Sequence, residues 1–204
     1  MGIHKPTGPS LAYSGYPLNT SQASDGYTSG SLYSTWAGNS NFYTTDTASA
    51  NFIYSAPFYC RYDCTISHLV ADNSGSGDAG DDFRIGIYDS TAVNVPNSLL
   101  QQSGEIALDG SSDVRVADIT DQALEGGKLY WIALVTNASI SFSFQAYGTG
   151  FGDSSLGVSA WNSGGSSLGV GSVWYAAHTY AALPSSAPTP IYYNKAPVMG
   201  VKIA

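Results

Sequence analysis

The chain has 204 residues, a net charge of −8 and a pI near 4.4, with 43% hydrophobic and only 11% charged residues. That length and apolar share provide for one large domain with a real core and set the chain apart from disordered sequences. Its seven Lys and Arg residues stand singly, so no basic stripe exists to neutralise phosphates, and the acidity argues against both nucleic acid and an anionic membrane surface as partners.

Residues 1–45 read as an extended N-terminal arm. They hold Pro6, Pro9 and Pro17, many Ser, Thr and Gly, and isolated aromatics, with no period of 3.6 or 2.0. Tyr13, Tyr16, Tyr27 and Trp36 are the candidate anchors of this arm on a neighbouring surface, because each ring can bury a large area there. The first residues lack the apolar core of a signal peptide, and no apolar run approaches a membrane span, so synthesis in the cytoplasm without export by that route is expected.

Residues 46–204 read as a β-sandwich domain. Asn51–Tyr59 is apolar with Pro57 inside it, which predicts an edge or bulged strand. Cys60 and Cys64 follow. In an extended strand their Cα atoms would lie about 13 Å apart, beyond disulfide reach, although a tight turn over Arg61–Asp63 would bring them closer. Reduced, partly buried thiols are expected there. Thr65–Ala71 alternates well. The acidic, Gly-rich stretch 72–82 is a clear break.

Phe83–Tyr88 is the next strand, with Phe83, Ile85 and Ile87 on one face and Arg84, Gly86 and Tyr88 on the other. Gly86 leaves room for a close neighbour. Val95–Gln102 opens on a Pro and is expected to hold one helical turn. Glu105–Leu108 and Val114–Ile119 read as a short strand pair about a turn at Asp109–Ser112. Leu129–Thr136 is a dense apolar strand in which Tyr130 and Trp131 face opposite ways. One of them fills the core and the other faces outward or into a partner. Ser139–Ala146 alternates strictly, with Ile140, Phe142 and Phe144 inward.

The stretch 148–171 is rich in Gly and Ser and reads as a long loop carrying Trp161. An aromatic segment, Val173–Leu183, and a Pro-rich link then lead to a strand at Val198–Ile203. About eight strand candidates separated by Gly, Asp and Pro turns point to an all-β fold, an antiparallel, jelly-roll-like β-sandwich whose edge the N-terminal arm would cover.

Little of this carries chemistry. His4, His68 and His178 lie far apart with no metal-type spacing, Glu105 and Glu125 are the only glutamates, and no His-Glu-x-x-His or P-loop pattern occurs. A non-enzymatic role is expected. Asp72, Asp78, Asp81 and Asp82 are hard oxygen ligands on a flexible loop, a calcium candidate, although their order is not that of an EF-hand and a solvated acidic loop explains them equally. Trp161, Trp174, Tyr192 and Tyr193 suit stacking on sugar rings, and equally a place in the core or in subunit contacts.

The order FRIGIYD, VPNSLLQQSGEI and LEGGKLYWIALVT, preceded by YSAPFYCRYDCTISHLVADN and followed by YAALPSSAPTPIYYNKAPVMGVKI, resembles a module of tailed-bacteriophage virion surface proteins. The similarity spans roughly residues 50–203 and brings no catalytic residues. It implies a structural virion protein in contact with the major capsid protein or with tail proteins, and a homotrimer by analogy. Two roles fit: a capsid decoration (cement) protein held by its arm, or a tail-fibre or tail-tip protein that binds host glycans. The absence of a fibrous shaft between arm and domain favours decoration.

Overall fold

The computed structural model describes residues 26–35, 43–92, 95–110, 112–146, 173–189, 191–193 and 195–204. Among these residues there is no helix. The strands are β1 (Leu32–Ser34), β2 (Tyr43–Ala48), β3 (Phe52–Cys60), β4 (Cys64–Asn73), β5 (Asp82–Ser90), β6 (Pro96–Gln102), β7 (Ile106–Ala107), β8 (Asp113–Leu124), β9 (Lys128–Thr136), β10 (Ile140–Ala146), β11 (Val173–Ala177), β12 (Ile191–Tyr193), β13 (Lys195–Pro197) and β14 (Met199–Ile203).

They form two antiparallel sheets packed face to face, the jelly-roll-like β-sandwich expected from the sequence. In the first sheet β4 lies between β8 and β14, and β14 also pairs with β1. Strand β10 pairs with β2 and β13, and meets β4 at Phe142–Asn73. The second sheet runs β12-β11-β3-β9-β5-β6, with β7 also on β5. The chain changes sheet at β2–β3, β3–β4, β4–β5, β7–β8, β8–β9, β9–β10, β10–β11 and β12–β13.

Alternation puts Tyr54, Phe58, Phe83, Ile85, Ile87, Ile132 and Leu134 of the second sheet against Ile66, Leu69, Phe142, Phe144 and Val201 of the first, all of them buried. Each such side chain stabilises the fold by about 1.5–3 kcal/mol relative to exposure. The edge or bulged strand expected from Pro57 is instead an interior one: β3 lies between β11 and β9, and its register with β9 runs unbroken from Ile53 to Cys60. Among the described residues β11 pairs with Phe52–Ser55, so Pro57 has a paired strand on the β9 side alone, opposite Trp131.

Three further expectations change. Pro96–Gln102 is a strand rather than a helical turn, because its backbone is taken up by β5 and by a later segment: Leu99 N–H donates to Ser185 O at 2.9 Å and Ala187 N–H to Asn97 O at 2.7 Å. The stretches around Ile106 and Val116 do not pair with each other. Strand β7 joins β5 in one sheet and β8 joins β4 in the other. Within the stretch read as an arm, Leu32–Ser34 and Tyr43–Ala48 are strands of the first sheet, and Tyr33 is a buried member of the core.

The outer face of the second sheet carries a further core. Trp131, fully buried, packs edge to face on Trp174 with ring centres 5.8 Å apart, beside Ile53, Tyr88, Ala133 and Val135. Such a ring pair adds about 0.5–1.5 kcal/mol beyond the area it buries. A strap, residues 178–187, covers this face with Leu183, Tyr180 and Ala187. The outward residue of the Tyr130–Trp131 pair thus faces the chain's own strap. Hydrogen bonds tie the strap down: Tyr88 Oη–H donates to Pro184 O at 2.9 Å, Leu183 N–H to Gln102 Oε1 at 2.8 Å, and Tyr180 N–H to Asn51 Oδ1 at 2.8 Å.

Gly86 is the seat of the strap. A Cβ there would stand 2.5 Å from Leu183 Cδ1 and 3.0 Å from Gln101 O. Gly86→Ala is expected to destabilise the protein by about 1–3 kcal/mol in urea unfolding through overpacking. Gly104 has open space around it, so Gly104→Ala should stay within about 0.5 kcal/mol of the parent. Equal effects of the two changes would show that the strap does not sit on Gly86.

Candidate functional site

The two sheets differ in what covers their outer faces. The outer face of the second sheet lies under the strap. The outer face of the first is read from strand register. One row across β1, β14, β4 and β8 is Leu32, Lys202, His68 and Asp118. A parallel row is Ser34, Gly200, Val70 and Val116, and Val114 stands opposite Asp72. The row between them, Tyr33, Val201, Leu69 and Ala117, points inward and is buried.

Leu32 is 50% exposed, Val114 44% and Val116 45%; among the described residues these are three of the four large hydrophobics left to solvent, with Tyr59 the fourth. They share their face with polar groups. His68 Nε2 lies 3.7 Å from Asp118 Oδ1, a pair that becomes ionic only when the imidazole is protonated. Apolar residues interleaved with single charges compose a surface suited to contact with another protein, where aliphatic centres and polar surrounds are the rule. Strand β8 forms one margin of this face. Among the described residues it pairs with β4 alone, so its other edge presents backbone N–H and C=O groups.

The acidic loop is ordered by its own backbone. Asp78 N–H donates to Asp81 Oδ2 at 2.8 Å, Gly77 N–H to Leu108 O at 3.0 Å and Leu108 N–H to Asp81 O at 2.8 Å. Asp72 belongs to β4, paired with Val114, and Asp82 opens β5, where its N–H donates to Asn137 Oδ1 at 2.8 Å. Among the described residues no three His, Cys, Asp or Glu side chains come together as a metal-holding group. The four aspartates of the calcium candidate are therefore spread over two strands and a turn, not gathered round a point.

The aromatic candidates separate in the same way. Tyr27 is docked on the sandwich, its Oη accepting from Arg61 N–H at 2.9 Å and its ring edge-on to Tyr33 at 4.7 Å. Burial holds its phenol well above the usual tyrosine range. Trp174 is buried against Trp131, so its ring is used inside the chain. Tyr192 and Tyr193 belong to β12, paired with β11. Tyr13, Tyr16, Trp36 and Trp161 lie outside the described residues.

Two glycine patterns in the sequence also bear on chemistry. Gly75, Gly77 and Gly80 have the Gly-x-Gly-x-x-Gly spacing of dinucleotide sites, but here they link strand to strand, and the helix N-terminus that would receive a pyrophosphate is missing. Gly165-Ser166-Ser167-Leu168-Gly169 has the spacing of a hydrolase nucleophile elbow and lies outside the described residues. His68 donates to or accepts from Ser67 Oγ at 2.8 Å, and His178 Nε2 stands 3.2 Å from Ala182 O in the strap, so these two histidines are in separate places.

No protein-family model matches this chain, and no curated protein matches it.

The strap gives a pH prediction. Burial, followed by the Glu105 carboxylate, pushes Tyr180 from an ordinary 10.0 up to about 12, against the lowering effect of Arg84. Folded Tyr180 keeps its proton where the unfolded chain has lost it. Its contribution is thus fully present below about 10 and is lost as pH rises through about 12. Chemical denaturation across pH 9–12.5, a range chosen to bracket roughly those values, should show falling stability in the parent and a shallower fall in Tyr180→Phe. Identical slopes would remove Tyr180 from the strap's anchorage.

Proposed function

We propose that this chain is a non-enzymatic structural protein of a tailed-bacteriophage virion, a capsid decoration protein attached through its N-terminal residues and grouped with further copies of itself, as a trimer. The observation that carries the reading is the asymmetry of the sandwich: one outer face is covered by the chain's own strap, while the other leaves Leu32, Val114 and Val116 exposed on paired strands. A monomer gains nothing from that exposure, whereas a neighbouring subunit would cover it. The low share of charged residues, the abundance of Tyr and the resemblance of residues 50–203 to virion surface modules support the same reading.

Glycan recognition at a tail tip has less support. Of the aromatics suited to stacking on sugars, Trp174 is committed to the covered core. Attachment through the N-terminus is compatible with the pinned segment that follows it: Gly30 N–H donates to Ile203 O at 3.0 Å and Thr35 N–H to Met199 O at 2.7 Å, which holds this segment beside β14.

The reading is tested with particles and two variants. Removing residues 1–25 leaves Tyr27 and β1 in place, and the product should fold with parent-like circular dichroism yet fail to appear on purified particles. Val116→Asp should keep its stability within about 0.5 kcal/mol, as exposed changes do, and sediment as a monomer. Normal incorporation of the truncated protein would refute the tether, and an unaltered oligomer in Val116→Asp would refute the face.

A further inference from the structure

The corner at which β3 of one sheet passes to β4 of the other holds both cysteines. Strand β3 ends on Cys60 and β4 begins on Cys64, with only Arg61–Asp63 between them. The turn folds tightly enough to place Cys60 Sγ 3.7 Å from Cys64 Sγ, against the roughly 13 Å Cα separation expected of an extended strand. Both thiols are free.

The turn itself is held firmly. Gly126 N–H donates to Asp63 Oδ1 at 2.7 Å and Gly127 N–H to Cys60 O at 2.7 Å. Gly126 is pressed so closely on the turn that a Cβ would stand 2.8 Å from Asp63 N and 2.9 Å from Tyr62 Cα. The sulfur pair is therefore a product of the fold and not a chance meeting of mobile side chains. A disulfide needs about 2.05 Å between sulfurs, so its formation requires the two side chains to close the gap that remains.

The two sulfurs are not equivalent. Cys60 is buried, and its S–H has Tyr62 O at 3.0 Å. Cys64 is half-buried. The sulfur–sulfur interaction lowers the Cys64 thiol, while the same interaction and burial raise Cys60. Attacking thiol and resolving thiol are thus separated by access and by charge preference.

We propose that Cys60 and Cys64 are an oxidisable dithiol, which a low-molecular-weight disulfide converts into an intramolecular disulfide tying the two sheets together at the corner where Tyr27 docks. The Cys64 thiolate attacks one sulfur of the oxidant, whose S–S bond breaks and releases one thiol. Cys60 gives its proton to solvent and attacks Cys64 Sγ, displacing the second thiol. The two protein thiols lose two electrons and two protons in total, and the oxidant's disulfide is reduced to two thiols. This site is independent of the virion reading and stands or falls by itself.

The test uses the full chain. Reduced protein is incubated with oxidised glutathione, quenched in acid, denatured and alkylated with iodoacetamide, and its intact mass is measured. Before oxidation both cysteines should be alkylated. After oxidation neither should be, and no glutathione should remain attached. Protein that still takes two alkyl groups, or that stops as a stable glutathione adduct, overturns the proposal. Cys60→Ser should stop at that adduct on Cys64. Should this variant fail to fold, peptide mapping of the adduct trapped early in the parent's time course serves: glutathione on Cys64 is expected, and glutathione on Cys60 would overturn the assigned order of attack.

Discussion

Strand β9 sets the terms for the whole molecule, because it is buried on both faces. Tyr130, Ile132 and Leu134 fill the space between the sheets, while Trp131, Ala133 and Val135 point the other way into a second core. An antiparallel sandwich ordinarily leaves its outer faces to water, with polar residues at every second position. Here the second sheet cannot do so. Trp131 alone would expose a large ring, and its Nε1–H reaches only Ser90 Oγ, at 3.3 Å. The strap is the remedy, and it explains otherwise separate features: Gly86 where a side chain would obstruct Leu183, Asn51 in the left-handed region at φ 64° where its amide receives Tyr180, and the ladder of bonds between residues 97–102 and 183–187.

The same constraint divides the molecule functionally. With one face closed by the chain itself, the first sheet and its margins are what the described residues leave open. That sheet is where the segment following residue 25 is pinned, where β8 offers an edge, and where the exposed aliphatics lie. Attachment through the N-terminus and packing against further copies would then use one side of a rigid body. The covered side keeps the position of β9, and through it the register of β3 and β5, fixed.

Much of this was legible in the residues. The alternation of Phe83, Ile85 and Ile87 and of Ile140, Phe142 and Phe144 placed each strand with the correct face inward, because a period of two leaves no freedom once one face is buried. Gly86 marked a close approach, whereas Pro57 suggested an edge or bulged strand and β3 is an interior one, held between β11 and β9. What could not be read was anything that depended on a distant partner. Pro96–Gln102 looks helical locally but is claimed by β5 and the strap, and Ile106 and Val116 look like a hairpin but answer to different sheets. The places of Trp174 and Trp131 were left open between core and surface, because nothing in a linear pattern shows that Leu183 will lie over them. The sulfur pair escaped for a related reason: its distance is set by the turn at Arg61–Asp63 and the glycines of another loop, not by the spacing of the cysteines.

Amide hydrogen exchange, resolved to single residues in the native protein, tests most directly whether a self-supplied cover seals the second sheet. Slow exchange is predicted for Leu99, Leu183 and Ala187, whose N–H groups bond across the strap, at rates approaching those of β9 itself. Exchange of those three amides at the rate of an open loop, while β9 stays protected, would contradict a docked strap and with it the division of the molecule into a closed face and an available one.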